Sequence, residues 1–215
     1  MKKNLFKEIF TVSLISLFFA QAFYIFIAEP AVAIAATAPD NVIVTLNVDS
    51  GVSITDGANV NMTPNMGMSA NGSIGSSSWT VKTSTATGYT LAVKASSAPA
   101  LVSGTSFFAD YTEVTNGTPE VWSVASGAKE FGYSVYGTDT GATWGTGNGC
   151  GSAGVPLGTM KYVGFEIADK IIASSSVVTS IAGTTTNICF AVEQDTVFAP
   201  SGTYTATITA TATTL

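Results

Sequence analysis

Tyr204-Thr205-Ala206-Thr207-Ile208-Thr209-Ala210-Thr211-Ala212 puts an apolar or small residue at every even position and a threonine at every odd one. Side chains two apart share one face of an extended chain, so the stretch predicts a strand with an apolar face on a core and hydroxyls in water. The same period recurs upstream. Val42, Val44, Leu46 and Val48 share a face, as do Trp79 with Val81, Tyr89 with Leu91, Val93 and Ala95, and Phe131 with Tyr133 and Val135. Phe165 with Ile167, and Ile188 with Phe190 and Val192, follow. Between these runs stand Asp49-Ser50-Gly51, Asn71-Gly72, Thr87-Gly88, Asn116-Gly117-Thr118-Pro119 and Ser201-Gly202, all turn-forming combinations. Thr83 to Gly88 reads as a hairpin connection, and Gly164 to Ser175 has room for a short helix. Many short strands with regular turns predict an all-β fold, an antiparallel β-sandwich of Ig-like or Greek-key type. Nothing in the pattern suggests a closed barrel with aromatic girdles.

The first residues have a different character. Lys2, Lys3 and Lys7 precede an apolar run from Ile9 to Ala28, then come Glu29, Pro30 and Ala31-Val32-Ala33-Ile34-Ala35-Ala36. A basic start, an apolar middle and small-residue Ala-x-Ala sites are the order of a secretory signal. The expectation is a helical signal peptide over residues 1–35, cleaved near Ala35, and a single β-sandwich domain over 36–215. The apolar run has about the 20 residues that span a bilayer, so retention as a membrane anchor is the alternative.

The chain is only 10% charged, against about 25% for typical soluble domains. Its surface is therefore expected to be rich in Thr and Ser hydroxyls. The formal net charge is -6; nucleic-acid binding needs a basic face, and no such partner is expected.

The two cysteines, Cys150 and Cys189, both follow the leader. In an exported chain the pair predicts a disulfide. Cys150 lies in a glycine-rich stretch from Gly137 to Gly158 that reads as a long loop also holding Trp144. Trp144 and Trp122, both beside turn-rich segments, are the candidate ligand contacts, because an exposed tryptophan can stack on a sugar or anchor an interface; packing in the core is the alternative for each. The chain has no histidine, which removes Ser-His-Asp and Cys-His arrangements and argues against a zinc site. Glu113, Glu120, Glu130, Glu166, Glu193, Asp110, Asp139, Asp169 and Asp195 remain, with no spacing that singles out a catalytic pair. Asp49 and Asp56 do not follow the calcium-loop pattern of an EF-hand. The expectation is a protein that is not an enzyme and has no cofactor and no metal.

Trp79-Thr80-Val81-Lys82-Thr83, Gly88-Tyr89-Thr90-Leu91-Ala92-Val93-Lys94-Ala95 and the closing Ser201-Gly202-Thr203-Tyr204-Thr205-Ala206-Thr207-Ile208-Thr209-Ala210 resemble the two signature regions of bacterial WxL-type cell-surface domains. Tyr89 stands where the first signature has tryptophan, and Ala210-Thr211-Ala212 where the second has Trp-x-Leu. The resemblance implies an exported β-rich domain held non-covalently on the cell wall, so the expected partners are cell-wall polymer or other surface proteins. A pilus or surface-layer subunit that self-associates through edge strands is a second expectation. A carbohydrate-active enzyme is a third, and it requires two acids and an aromatic in one cleft.

Overall fold

The computed structural model describes residues 2–27, 43–55, 57–68 and 71–215. The chain divides into two compact units, residues 1–46 and 47–215. In the first, α1 (Lys2–Ile27) is helical, as the apolar run predicts, and Ile9 to Phe19 carries exposed apolar side chains. Among the described residues no helix is long and apolar enough to cross a membrane. The expected cleavage region, Ala31 to Ala36, lies outside the described residues.

Among the described residues, thirteen strands build the second unit. They are β1 (Val52–Ile54), β2 (Gly72–Thr83), β3 (Tyr89–Ala95), β4 (Leu101–Ser103), β5 (Ser106–Asp110), β6 (Glu120–Val121), β7 (Lys129–Gly137), β8 (Gly151–Ser152), β9 (Val155–Pro156), β10 (Lys161–Gly164), β11 (Lys170–Ser175), β12 (Thr184–Gln194) and β13 (Ile208–Thr214). The larger sheet runs β1-β2-β12-β7-β10-β6. The far edge of β7 is shared, because β5 pairs there in parallel through Ala109↔Glu130 and Asp110↔Phe131. Every other pairing is antiparallel, including the long β2–β12 and β12–β7 ladders. The second sheet is β11-β3-β13.

One core joins the two sheets. Trp79 and Val81 of β2, Phe131, Tyr133 and Val135 of β7, and Ile188, Phe190 and Val192 of β12 cluster with Tyr89, Leu91, Val93 and Ala95 of β3 and Ile172 and Ala173 of β11. On β2, β3, β7 and β12 these are the faces that alternation predicts. Phe165 stacks on Tyr133 with ring centroids 4.4 Å apart and on Phe131 at 5.1 Å.

The larger sheet is also covered on its other face. Ile74, Tyr111, Met160, Tyr162, Cys189 and Ala191 form a second buried cluster. The cover is the glycine-rich segment, which is more ordered than a loop: it contains a 3-10 turn at Ala142–Trp144 and the β8–β9 hairpin. Cys150 is bonded to Cys189 of β12, as the sequence predicts, and ties this segment to the sheet.

Four readings need correction. Residues 43–50 form no strand; Val44, Leu46 and Val48 are 88%, 82% and 76% exposed. Alternation marks an apolar face but supplies no ladder partner. The connection from Thr83 to Gly88 is no hairpin, because β2 and β3 belong to different sheets. It is an arch, and Gly88 takes φ +86° where its α-hydrogen faces Ser175. Lys170–Ser175 is the strand β11, not part of a helix, and a register shift between Ile171 and Ala173 hides its period. Ile167, expected to share a face with Phe165, is 65% exposed, because β10 ends at Gly164.

The outward faces carry more hydroxyls than charges. The Thr80 and Thr185 hydroxyls meet at 2.9 Å across β2 and β12. Among the described residues the ion pair is Lys94 Nζ to Asp169 Oδ1 at 3.5 Å, with both side chains exposed.

Candidate functional site

The core is open on one side. Between residues 54–68 and residues 198–210 runs a groove of about 1370 Å³, larger than the roughly 300–1,000 Å³ of a small-molecule site. Trp79, Phe131, Phe190 and Val192 line it from the large sheet, Leu101 and Phe108 from β4 and β5. Val60, Met62 and Met66 stand on one side; Phe198, Tyr204, Ala206, Ile208 and Ala210 stand on the other.

The sequence explains the opening. Positions 73 and 77 of β2 share the inward face of Trp79 by the period of two, and they line the groove with Ser73 and Ser77; between them Gly75 is overlaid by Val60, with which a Cβ there would collide. The facing flank offers Ala206 and Ala210. Small side chains on both flanks leave space that Phe131 and Phe190 do not fill. Tyr204, Ile208 and Ala210 are accordingly only half-buried, where the sequence predicts Tyr204 and Ile208 in the core. Tyr204 meets Phe108 edge to face at 5.1 Å and donates its hydroxyl to the Pro200 carbonyl at 2.9 Å. The Ser73 hydroxyl lines the groove, is 3% exposed, and has no hydrogen-bond partner among the described residues. Alternation reports which face is apolar but not how much volume faces it, so the sequence did not disclose this groove.

The two candidate tryptophans are elsewhere. Trp144 is 5% exposed, because the 3-10 turn swings it onto Tyr133, with ring centroids 5.6 Å apart. It is a core residue and presents no face to a ligand. Trp122 is half-buried, stacked on Tyr111 at 4.5 Å and edge-on to Tyr162 at 5.3 Å. A glycine makes the seat for that stack: a Cβ on Gly132 would come within 2.8 Å of Tyr111 and 3.0 Å of the Trp122 ring.

Acids gather around this aromatic stack. The Trp122 indole N–H donates to Glu193 Oε2 at 2.7 Å, and the Tyr111 hydroxyl to Glu120 Oε1 at 3.2 Å. Glu113 Oε1 accepts the Gly164 N–H at 2.5 Å, and its Oε2 accepts the Gly117 N–H at 3.3 Å. Glu130, 8% exposed, is held above the usual carboxylate range by burial first, with the charges of Glu113 and Glu193 adding to it. Burial likewise raises the Asp110 carboxyl, whose Oδ1 accepts the Ala100 N–H at 3.0 Å, and lifts the Tyr162 hydroxyl to about 12. Glu113, Glu120 and Glu193 thus spend their oxygens on backbone and ring donors of the fold.

Glu130 gives a pH prediction. Its folded-state pKa is raised, so its contribution to stability is full below the unfolded value and is lost as pH rises through the folded one. Once pH has risen through the folded value the ionised side chain is a cost, and there Glu130→Gln should melt at a higher temperature than the parent. The gain should vanish as pH falls through the carboxylate range. Thermal melts of both proteins across a pH series rising from 3 check this; identical curves at every pH would contradict it.

Asp56 lies outside the described residues, and among the described residues no group of three or more His, Cys, Asp or Glu is placed to hold a metal ion. Comparison with protein-family models, with curated proteins and with solved structures finds no match.

Proposed function

We propose that this chain is an exported surface protein that works by binding and assembly, taking an extended segment of a partner into its open apolar groove. The observation that carries the reading is the groove itself. It is long, lined by core residues, and flanked by β13, which among the described residues is laddered to β3 alone. Exposed edges of this kind accept a further strand through backbone hydrogen bonds while alternate side chains fill pockets. The Cys150–Cys189 disulfide fits an oxidising, extracytoplasmic environment, and the basic-then-apolar start of the chain supports export through a signal peptide. Two sheets sharing one core, with sequence-distant strands as neighbours, support a β-sandwich of Greek-key type.

A second reading keeps the WxL resemblance: non-covalent wall association through the hydroxyl-rich outer faces. Sedimentation of the purified chain with and without wall polymer separates the readings. Pelleting alone, as ordered assemblies, supports assembly through the groove. Pelleting only with polymer transfers the function to wall binding. A soluble monomer in both, able to cleave a glycan, would defeat both and return attention to the acids around Trp122.

A further inference from the structure

We infer that Met62, Met66 and Met68 form an oxidisable lip on the groove, so that a peroxide reaching them lowers its affinity for apolar occupants; this step rests on the groove being a binding site. The chain has five methionines, and these three line one wall of the groove. From Asn59 to Met66 exposed and half-buried residues alternate, and the half-buried ones are Val60, Met62, Pro64 and Met66. The alternation turns Met62 and Met66 toward the core, against which both pack. Met68, beyond them, is 95% exposed. Unbranched, polarisable side chains of this kind repack around differing partners.

The same side chains are where an oxidant acts. Methionine thioethers and cysteine thiolates are the groups a peroxide oxidises, but Cys150 and Cys189 are bonded to each other and neither is free. Met160 is fully buried beneath the glycine-rich cover, and Met1 lies outside the described residues. Met62, Met66 and Met68 remain. In the reaction the O–O bond of the peroxide breaks, one oxygen forms an S–O bond, and the sulfur gives up two electrons. The departing hydroxide takes the proton of the transferred oxygen and leaves as water. The product sulfoxide is polar, and reductases specific for each epimer can reverse it. Apolar side chains of an occupant that rested on sulfur would then rest on a strong dipole, and burying such a group without a hydrogen bond is costly.

The test treats the full chain with hydrogen peroxide and reads peptide masses, binding of the uncharged apolar dye phenylnaphthylamine, and thermal melting. Sulfoxide should form at Met68 first, then at Met66 and Met62, with Met160 unchanged. Dye affinity should fall about tenfold, the scale of leaving one polar group unbonded in an apolar contact, while the melting transition remains. α1 holds no methionine, so dye bound to its apolar side chains is untouched by the treatment. Met62→Leu, Met66→Leu and Met68→Leu together should keep the dye affinity and make it indifferent to peroxide. Met66→Gln with Met68→Gln should reproduce the loss without peroxide. Complete oxidation of the three with unchanged dye affinity would overturn the inference and leave the groove as a binding site. Loss of the dye together with the melting transition would also overturn it, since the lip would then be structural. If the untreated chain binds dye no better than a folded Ala210→Trp variant, whose new side chain occupies the groove, then the groove is no site and the proposed function fails with it.

Discussion

Phe165→Ala should destabilise the domain by about 3–5 kcal/mol, the range for removing a buried aromatic ring. Phe165 is 4% exposed and its ring lies within reach of three others, Phe131, Tyr133 and Phe190. Truncation removes their common neighbour at the centre of the core, and the ladders on which the remaining rings stand hold them from closing the cavity. Single domains are stable by only about 5–15 kcal/mol, so the loss is a large fraction of the whole. Urea unfolding should show a lower midpoint. Ile167→Ala, two residues on and 65% exposed, should stay within about 0.5 kcal/mol of the parent. Similar losses at both positions would show that the chain does not turn outward after β10.

Cys150→Ser should cost about 4 kcal/mol, the chain-entropy value for a separation of 39 residues. For a domain of this size that corresponds to a fall of roughly 8–16 °C in melting temperature. The damage should also be local. The bond fixes the glycine-rich cover to β12, and beneath the cover lie Ile74, Met160 and Ala191. Releasing it should admit solvent to that face first, so amide exchange in residues 145–160 should accelerate before exchange in β3. A variant that melts like the parent would mean that packing of Met160 and Tyr162 holds the cover without the bond.

The legible part of this fold is the part with one dry face. In β3, β7, β12 and β13 apolar residues recur at every second position, and the structure turns those residues toward one core. The period of two says less where both faces are dry. Cys189 and Ala191 on the outer face of β12 are buried, yet small residues there look no different from the solvent side of an ordinary strand. Trp144 lay in a segment without any period, so neither its turn nor its inward direction was readable. In β11 the bulge places Ile172 and Ala173 in the core as neighbours, which mimics part of a helical stripe. The groove depends on volumes contributed by strands more than a hundred residues apart in sequence, Ser77 and Ala210 among them, and no local pattern encodes a sum over distant positions. The segment at residues 43–48 was legible as alternating, yet it forms no strand among the described residues.

The hydroxyl-rich exterior has a consequence for where such a protein can work. An exposed ion pair such as Lys94–Asp169 contributes about 0–1 kcal/mol and fades with screening, whereas Thr–Thr contacts across strands and apolar burial do not depend on counterions. A surface with few charges gives dissolved ions little to act on. The folded state should therefore be nearly indifferent to ionic strength, holding its shape in dilute fresh water and in brine alike.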